Sequence, residues 1–95
     1  MIIIREHFIA KPGQASKLAK MMQETQKAFG AQTCRIMTDM TGDFNQVVME
    51  TEIESLGAFE SRMQEYSKNT AAREKMKGYT DMYITGGRQI YQVLS

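Results

Sequence analysis

Apolar positions recur along this chain in two rhythms, first every second residue and then at helical spacing. Residues 2–10 alternate, with Ile2, Ile4, Glu6 and Phe8 on one side and Ile3, Arg5, His7 and Ile9 on the other. Period two with β-branched residues predicts a strand. Lys11-Pro12-Gly13 ends it, because proline lacks the N–H that a ladder requires. From Gln14 the rhythm changes. Ala15, Leu18, Ala19, Met22, Thr25 and Phe29 form one stripe among lysines and glutamines, which predicts an amphipathic helix closed by Gly30.

Residues 32–40 and 44–53 read as a hairpin around Gly42-Asp43, with glycine first as a type II′ turn requires. That turn sets Cys34 opposite Thr51, Ile36 opposite Met49 and Thr38 opposite Val47 on one face. On the other face it sets Thr33 opposite Glu52, Arg35 opposite Glu50, Met37 opposite Val48 and Asp39 opposite Gln46. The Arg35–Glu50 match supports this register, since a one-residue slip breaks the pattern of both faces together. Ser55 is the expected N-cap of a second helix carrying Leu56, Phe59, Met63 and Tyr66. Asn69-Thr70 interrupts it before a shorter piece with Ala72 and Met76, and Gly78 ends the helical region. Residues 81–94 form a closing strand, in which Gly86-Gly87 predicts a bulge and a change of face.

The resulting βαββαβ order specifies an α+β, ferredoxin-like fold in one domain over residues 1–95. Its four-stranded antiparallel sheet has the order 4-1-3-2, with two helices on one face. The covered face collects Ile2, Ile4, Phe8, Ile36, Val47 and Met49. The open face collects Ile3, Arg5, His7, Ile9, Arg35, Met37, Val48 and Glu50. Four large apolar side chains on an uncovered sheet are more than scattered surface residues. They predict a symmetric homodimer, sheet against sheet, with Arg5, His7, Arg35 and Glu50 as its polar members. Such an interface buries roughly 800 Å² or more per subunit.

Charge and composition then remove several partners. The formal net charge is +1 with acids and bases interspersed, which gives no electrostatic footprint for nucleic acid. RNA-recognition modules share the βαββαβ order but stack bases on aromatics of the central strands, where this chain has Arg5, His7, Val48 and Glu50. No run approaches the ~20 apolar residues of a membrane helix. The opening Met1-Ile-Ile-Ile is too short for a signal-peptide core. A lone cysteine, Cys34, forms no internal disulfide, so a cytoplasmic location is expected. One imidazole, His7, excludes multi-histidine metal sites, and neither a metal nor another cofactor is expected.

The catalytic candidates are therefore His7 and Glu6. His7, beside Arg5, Arg35 and Glu50, suits either acid–base work near neutral pH or a polar patch that fixes dimer register. Glu6 falls on the covered face, where a carboxylate is seldom left without a partner. It is read either as a polar contact in a pocket or as a sheet-end charge paired with a lysine. Arg88 offers a planar fork for a carboxylate or phosphate, or else a solvent-exposed strand position. Cys34 reads as a structural thiol on the apolar face. Tyr66 and Tyr83 are core aromatics or hydroxyl donors to a pocket.

The passage from strand one into Lys11-Pro12-Gly13 and a helix is one of three features carrying a family likeness. The others are Val48-Met49-Glu50-Thr51-Glu52-Ile53-Glu54-Ser55-Leu56 between strand three and helix two, and the terminal Gly87-Arg88-Gln89-Ile90-Tyr91. With them the chain resembles the dimeric α+β barrel superfamily, in its NIPSNAP-like and antibiotic-biosynthesis-monooxygenase-like branches. The resemblance implies a homodimer whose two sheets form a barrel, with a small-molecule pocket between each sheet and its helices. Phe8, Met22, Ile36, Met49 and Tyr66 are the residues expected to line that pocket. Oxygenases of the superfamily that need no cofactor, and its haem-degrading enzymes, use the pocket with Asn, Trp and His or Tyr. This chain has Glu6 at the first-strand position matched to that Asn, and no Trp. The implied functions are a monooxygenase-like enzyme without cofactor, acting on a small apolar or aromatic compound, or a non-catalytic module that binds a ligand or a protein.

Overall fold

The alternation of residues 2–10 becomes β1 (Ile2–Ala10), and the helical stripe that follows becomes α1 (Ala15–Phe29). The structure, a computed structural model, describes residues 1–29 and 33–94. The chain continues through β2 (Cys34–Thr38), β3 (Gln46–Ile53), α2 (Leu56–Lys68), α3 (Thr70–Lys75) and β4 (Tyr83–Gln92), with a 3₁₀ turn at Tyr79–Asp81. All strand pairs are antiparallel and the sheet order is β2-β3-β1-β4, as expected for a ferredoxin-like fold. The expected cap at Gly30 lies outside the described residues.

The β2–β3 register agrees with the sequence reading at every pair from Cys34–Thr51 to Thr38–Val47. Its turn does not. Gly42-Asp43 sits in an irregular tip, and the chain reverses through Phe44 and Asn45, with Asn45 at φ 64°. Asp39 carries the ladder one step further, its N–H donating to the Gln46 carbonyl and its side chain accepting from the Gln46 N–H. The residues between Asp39 and Gln46 still divide evenly about Gly42-Asp43, although the reversal falls on one side, so the register is unchanged.

Ser55 caps α2 by accepting from the Ala58 N–H at 3.1 Å. Asn69 ends α2, its backbone N–H donating to the Tyr66 carbonyl, and begins α3, its side chain accepting from the Ala72 N–H at 3.0 Å. One residue thus satisfies groups that both helices would leave open.

Two apolar clusters fill the space between sheet and helices. Leu18 and Met22 of α1 meet Val47 and Ala10, with Phe8, Ile36, Met49 and Met76 packed around them. Ile2, Ile4 and Ile53 form the second cluster under Phe59 of α2. Leu18 and Val47 are fully buried, so truncating either removes several kcal/mol by the usual cavity cost, roughly 2–5 for Leu→Ala. No side chain of α2 is buried.

The bulge expected at Gly86-Gly87 lies instead at Ile84, where Ile9 pairs with Thr85 and Ala10 with Tyr83. The glycines serve another purpose. Gly86 pairs with Phe8, and a Cβ there would lie 2.8 Å from Phe8 Cδ1 and 2.9 Å from the His7 carbonyl oxygen. Phe8 therefore lies across the backbone of β4, its ring 4.9 Å from that of Tyr83. At Gly87 the nearest atom to an added Cβ is the tip of the His7 imidazole, at 3.0 Å. Gly86→Ala is expected to cost about 1–3 kcal/mol in urea denaturation, because ring and backbone must both shift. Gly87→Ala should cost less, since an imidazole can rotate away.

Candidate functional site

Alternation along β1 divides its polar residues between two sites. Glu6 points under the helices, while Arg5 and His7 point to the open face. Between the two apolar clusters lies a cleft of about 200 Å³. Its floor is Ile4, Phe8 and Met49 of the sheet, its inner wall includes Met22 and Thr25 of α1, and its outer wall is Phe59, Met63 and Tyr66 of α2. Four of the five residues expected to line a pocket do so: Phe8, Met22, Met49 and Tyr66. Ile36 packs against the Leu18 cluster instead, because β2 is the edge strand far from α2.

Among the polar groups lining the cleft is an ion pair. Arg88 Nε donates to Glu6 Oε1 at 3.3 Å, across the β1–β4 ladder in which the two residues are directly paired. The Arg88 guanidinium carbon lies 5.3 Å from the centroid of the Phe59 ring, a cation–π distance. Glu6 thus has an arginine partner rather than the lysine considered from sequence. Thr25, buried at 3% exposure, gives its hydroxyl hydrogen to the Met21 carbonyl at 2.8 Å. Burial, followed by the neighbouring Tyr79, pushes the Tyr66 phenol above its ordinary range, so its hydroxyl stays protonated at neutral pH. Tyr83 belongs to the ring stack with Phe8 and Tyr79 and does not line the cleft.

Sequence reasoning left Arg88 as an isolated candidate and did not find its pairing. The signal was present: in an uninterrupted β4, Ile90 meets Ile4, Arg88 meets Glu6 and Gly86 meets Phe8. Placing a bulge at the glycines hid that match.

The open face carries the other set. Glu50 is flanked by two arginines: Arg5 Nε donates to Oε2 at 2.7 Å and Arg35 Nη2 to Oε1 at 2.6 Å. Arg5 also forms a second contact to Oε2 through Nη2, and its guanidinium lies 5.6 Å from the Tyr91 ring centroid. The Glu50 side chain is 8% exposed, and among the described residues no buried side-chain polar atom lacks a partner. Hydrogen bonds from Arg35 and then Arg5 hold the Glu50 carboxyl below the ordinary glutamate range. His7 lies beside this cluster over Gly87. Glu6 and His7, the two catalytic candidates, therefore face opposite sides of the sheet and cannot act together.

Cys34 is half-buried on the covered side of β2, and burial outweighs its hydrogen bond with Thr51 in raising its thiol pKa. Among the described residues no group of three or more His, Cys, Asp or Glu could hold a metal ion. None of the described helices is long and apolar enough to cross a membrane.

By sequence, no protein-family model and no curated protein matches this chain. Its fold does have solved counterparts. An uncharacterized NIPSNAP domain protein from Burkholderia xenovorans superposes with a TM-score of 0.84 at 12% identity, over 100% of this chain and 96% of that one. A NIPSNAP family protein from Agrobacterium tumefaciens gives 0.82 at 12% identity, over 98% and 85%. A protein named as a putative antibiotic biosynthesis monooxygenase from Nitrosomonas europaea gives 0.71 at 12% identity, over the whole of both chains. Identities this low establish a shared fold and leave activity to be argued from the site.

The Glu50 cluster predicts a pH dependence. A carboxyl depressed by folding contributes stability above its unfolded pKa of about 4.3, and that contribution is lost as pH falls through the lower folded value. Glu50→Gln should therefore unfold at lower urea than the parent at pH 7. The gap should narrow steadily below about pH 4.

Proposed function

We propose that this chain works as a homodimer that holds a small apolar or aromatic compound in the cleft beneath its helices. The observation that carries the reading is the cleft itself, with apolar walls from both clusters and the Glu6–Arg88 ion pair at its edge. A concave apolar site with a few placed polar groups is the usual form of a small-molecule site.

The dimer takes its support from the opposite face. Ile3, Ile9 and Val48 are partly exposed there, and Met37 and Tyr91 are 36% and 45% exposed. Burying this surface removes apolar area from water at about 25 cal/mol per Å². The charges that would be enclosed with it, Arg5, Glu50 and Arg35, already satisfy one another within the subunit.

A second reading is oxygenation of the bound compound without metal or flavin. It is favoured by Glu6, a carboxylate facing the cleft, and by the name given to the Nitrosomonas structure. The steady consumption of dissolved oxygen with an aromatic substrate is its test, and Glu6→Gln should abolish that consumption.

Light scattering at micromolar concentration should give twice the subunit mass for the parent and a folded monomer for Met37→Asp. A monomeric parent would contradict the dimer. Calorimetric titration with benzyl alcohol, a neutral aromatic probe, should show one site per subunit. Met49→Trp, which fills the cleft floor, should remove that binding, and absence of binding to the parent would contradict the cleft reading.

A further inference from the structure

We infer that the cleft takes aromatic compounds of graded size, fused rings included, because its bore is set by the rotamers of Met22, Met49, Met63 and Met76. This rests on the cleft being a small-molecule site and names what governs which compounds enter it.

The first argument is the choice of side chains. Four of the nine methionines of the chain line the cleft, each from a different element: α1, β3, α2 and the C-cap of α3. Among the described lining residues there is no leucine or valine, and Ile4 and Ile53 are the branched aliphatics. Leu18 and Val47, both fully buried, belong instead to the packing that anchors α1. The cleft is bounded mainly by thioethers and rings.

The second argument is what a thioether does. Methionine is unbranched, with three rotatable bonds and a polarizable sulfur, so it changes rotamer to fit an irregular surface. A leucine of similar volume has fewer arrangements and keeps one outline. The cleft's volume of about 200 Å³ is then that of one set of rotamers. Turning a methionine away lengthens the cleft on that side, and the four stand on different sides of it. Met63 yields most easily, being 39% exposed on a helix that buries no side chain.

The third argument is the nature of the contacts. The Glu6–Arg88 pair carries no net charge and favours neither an anion nor a cation. Apolar area and ring contacts therefore decide what is held. Phe8 and Phe59 offer ring faces and edges, and methionine sulfur makes favourable contacts with aromatic rings. A saturated compound of the same size gains neither contact.

Three neutral alcohols decide it, titrated into the full chain by calorimetry: benzyl alcohol, naphthylmethanol and cyclohexylmethanol. The naphthyl compound should bind about tenfold more tightly than benzyl alcohol, the worth of a further ring removed from water. Cyclohexylmethanol should bind more weakly than benzyl alcohol. Two double variants, Met63→Leu with Met76→Leu and Met22→Leu with Met49→Leu, keep the side-chain volume. Each should bind benzyl alcohol within about threefold of the parent and lose the naphthyl advantage. Near-ultraviolet circular dichroism confirms that both are folded. In the parent, with methionine methyls labelled for NMR, the four cleft signals should shift with either aromatic probe, while that of Met40, 98% exposed, stays in place. Binding of benzyl alcohol with exclusion of the naphthyl compound overturns the inference and leaves a small-molecule cleft of fixed outline. A naphthyl advantage kept in both double variants, cleft methyls that do not shift, or cyclohexylmethanol bound as tightly as benzyl alcohol also overturns it. If no probe binds, the inference and the cleft reading fall together.

Discussion

In a strand, consecutive side chains leave the backbone in opposite directions, and in this molecule β1 makes that constraint decisive. β1 is central, paired along its length with β3 and β4, so its register sets the contents of both faces. Glu6 enters the cleft because Arg5 and His7 do not. A shift of one residue would put an arginine and an imidazole under the helices and turn Ile2 and Ile4 outward. The contacts that hold the register come from both sides. Phe8 and His7 lie across the two glycines of β4, and Arg5 and Arg35 close on Glu50.

The two faces use charge differently. On the open face two arginines saturate one carboxylate, leaving a satisfied cluster suited to enclosure. Under the helices one arginine meets one carboxylate through a single long contact and retains donors. The uneven packing of the helices agrees with this division. α1 contributes Leu18 and Met22 to the core, whereas α2 buries no side chain and serves as a wall. Elements with few buried apolar contacts open most readily, and α2 is such an element.

Much of this was legible in the residues because it follows from local periodicity. The elements, the Ser55 cap and the break at Asn69 depend on patterns a few residues wide, the Arg35–Glu50 pair on one hairpin, and the strand order on the sequence of elements. The Gly42-Asp43 signal located the centre of the hairpin correctly and its turn type incorrectly, since a wider tip about the same centre keeps every pair. β4 was harder to read. A glycine in a strand signals either a bulge or the close approach of a neighbour, and only the position of Phe8 distinguishes the two. That ambiguity concealed the pairing of Glu6 with Arg88, which joins opposite ends of the chain. The exclusion of Ile36 from the cleft was also hidden, because periodicity assigns a side chain to a face and says nothing of which strands lie beneath which helix.

Asn69 joins α2 to α3 with no spare residue between them, its main chain closing one helix while its side chain opens the other. Fraying of the last turn of α2 releases the Asn69 amide from Tyr66 and loosens the hold on Ala72, which is wholly enclosed in the interior. The two segments should consequently melt as one cooperative block, with similar amide-exchange protection on either side of the joint. A disturbance at Tyr66 is then felt at Met76, a turn and more beyond the break.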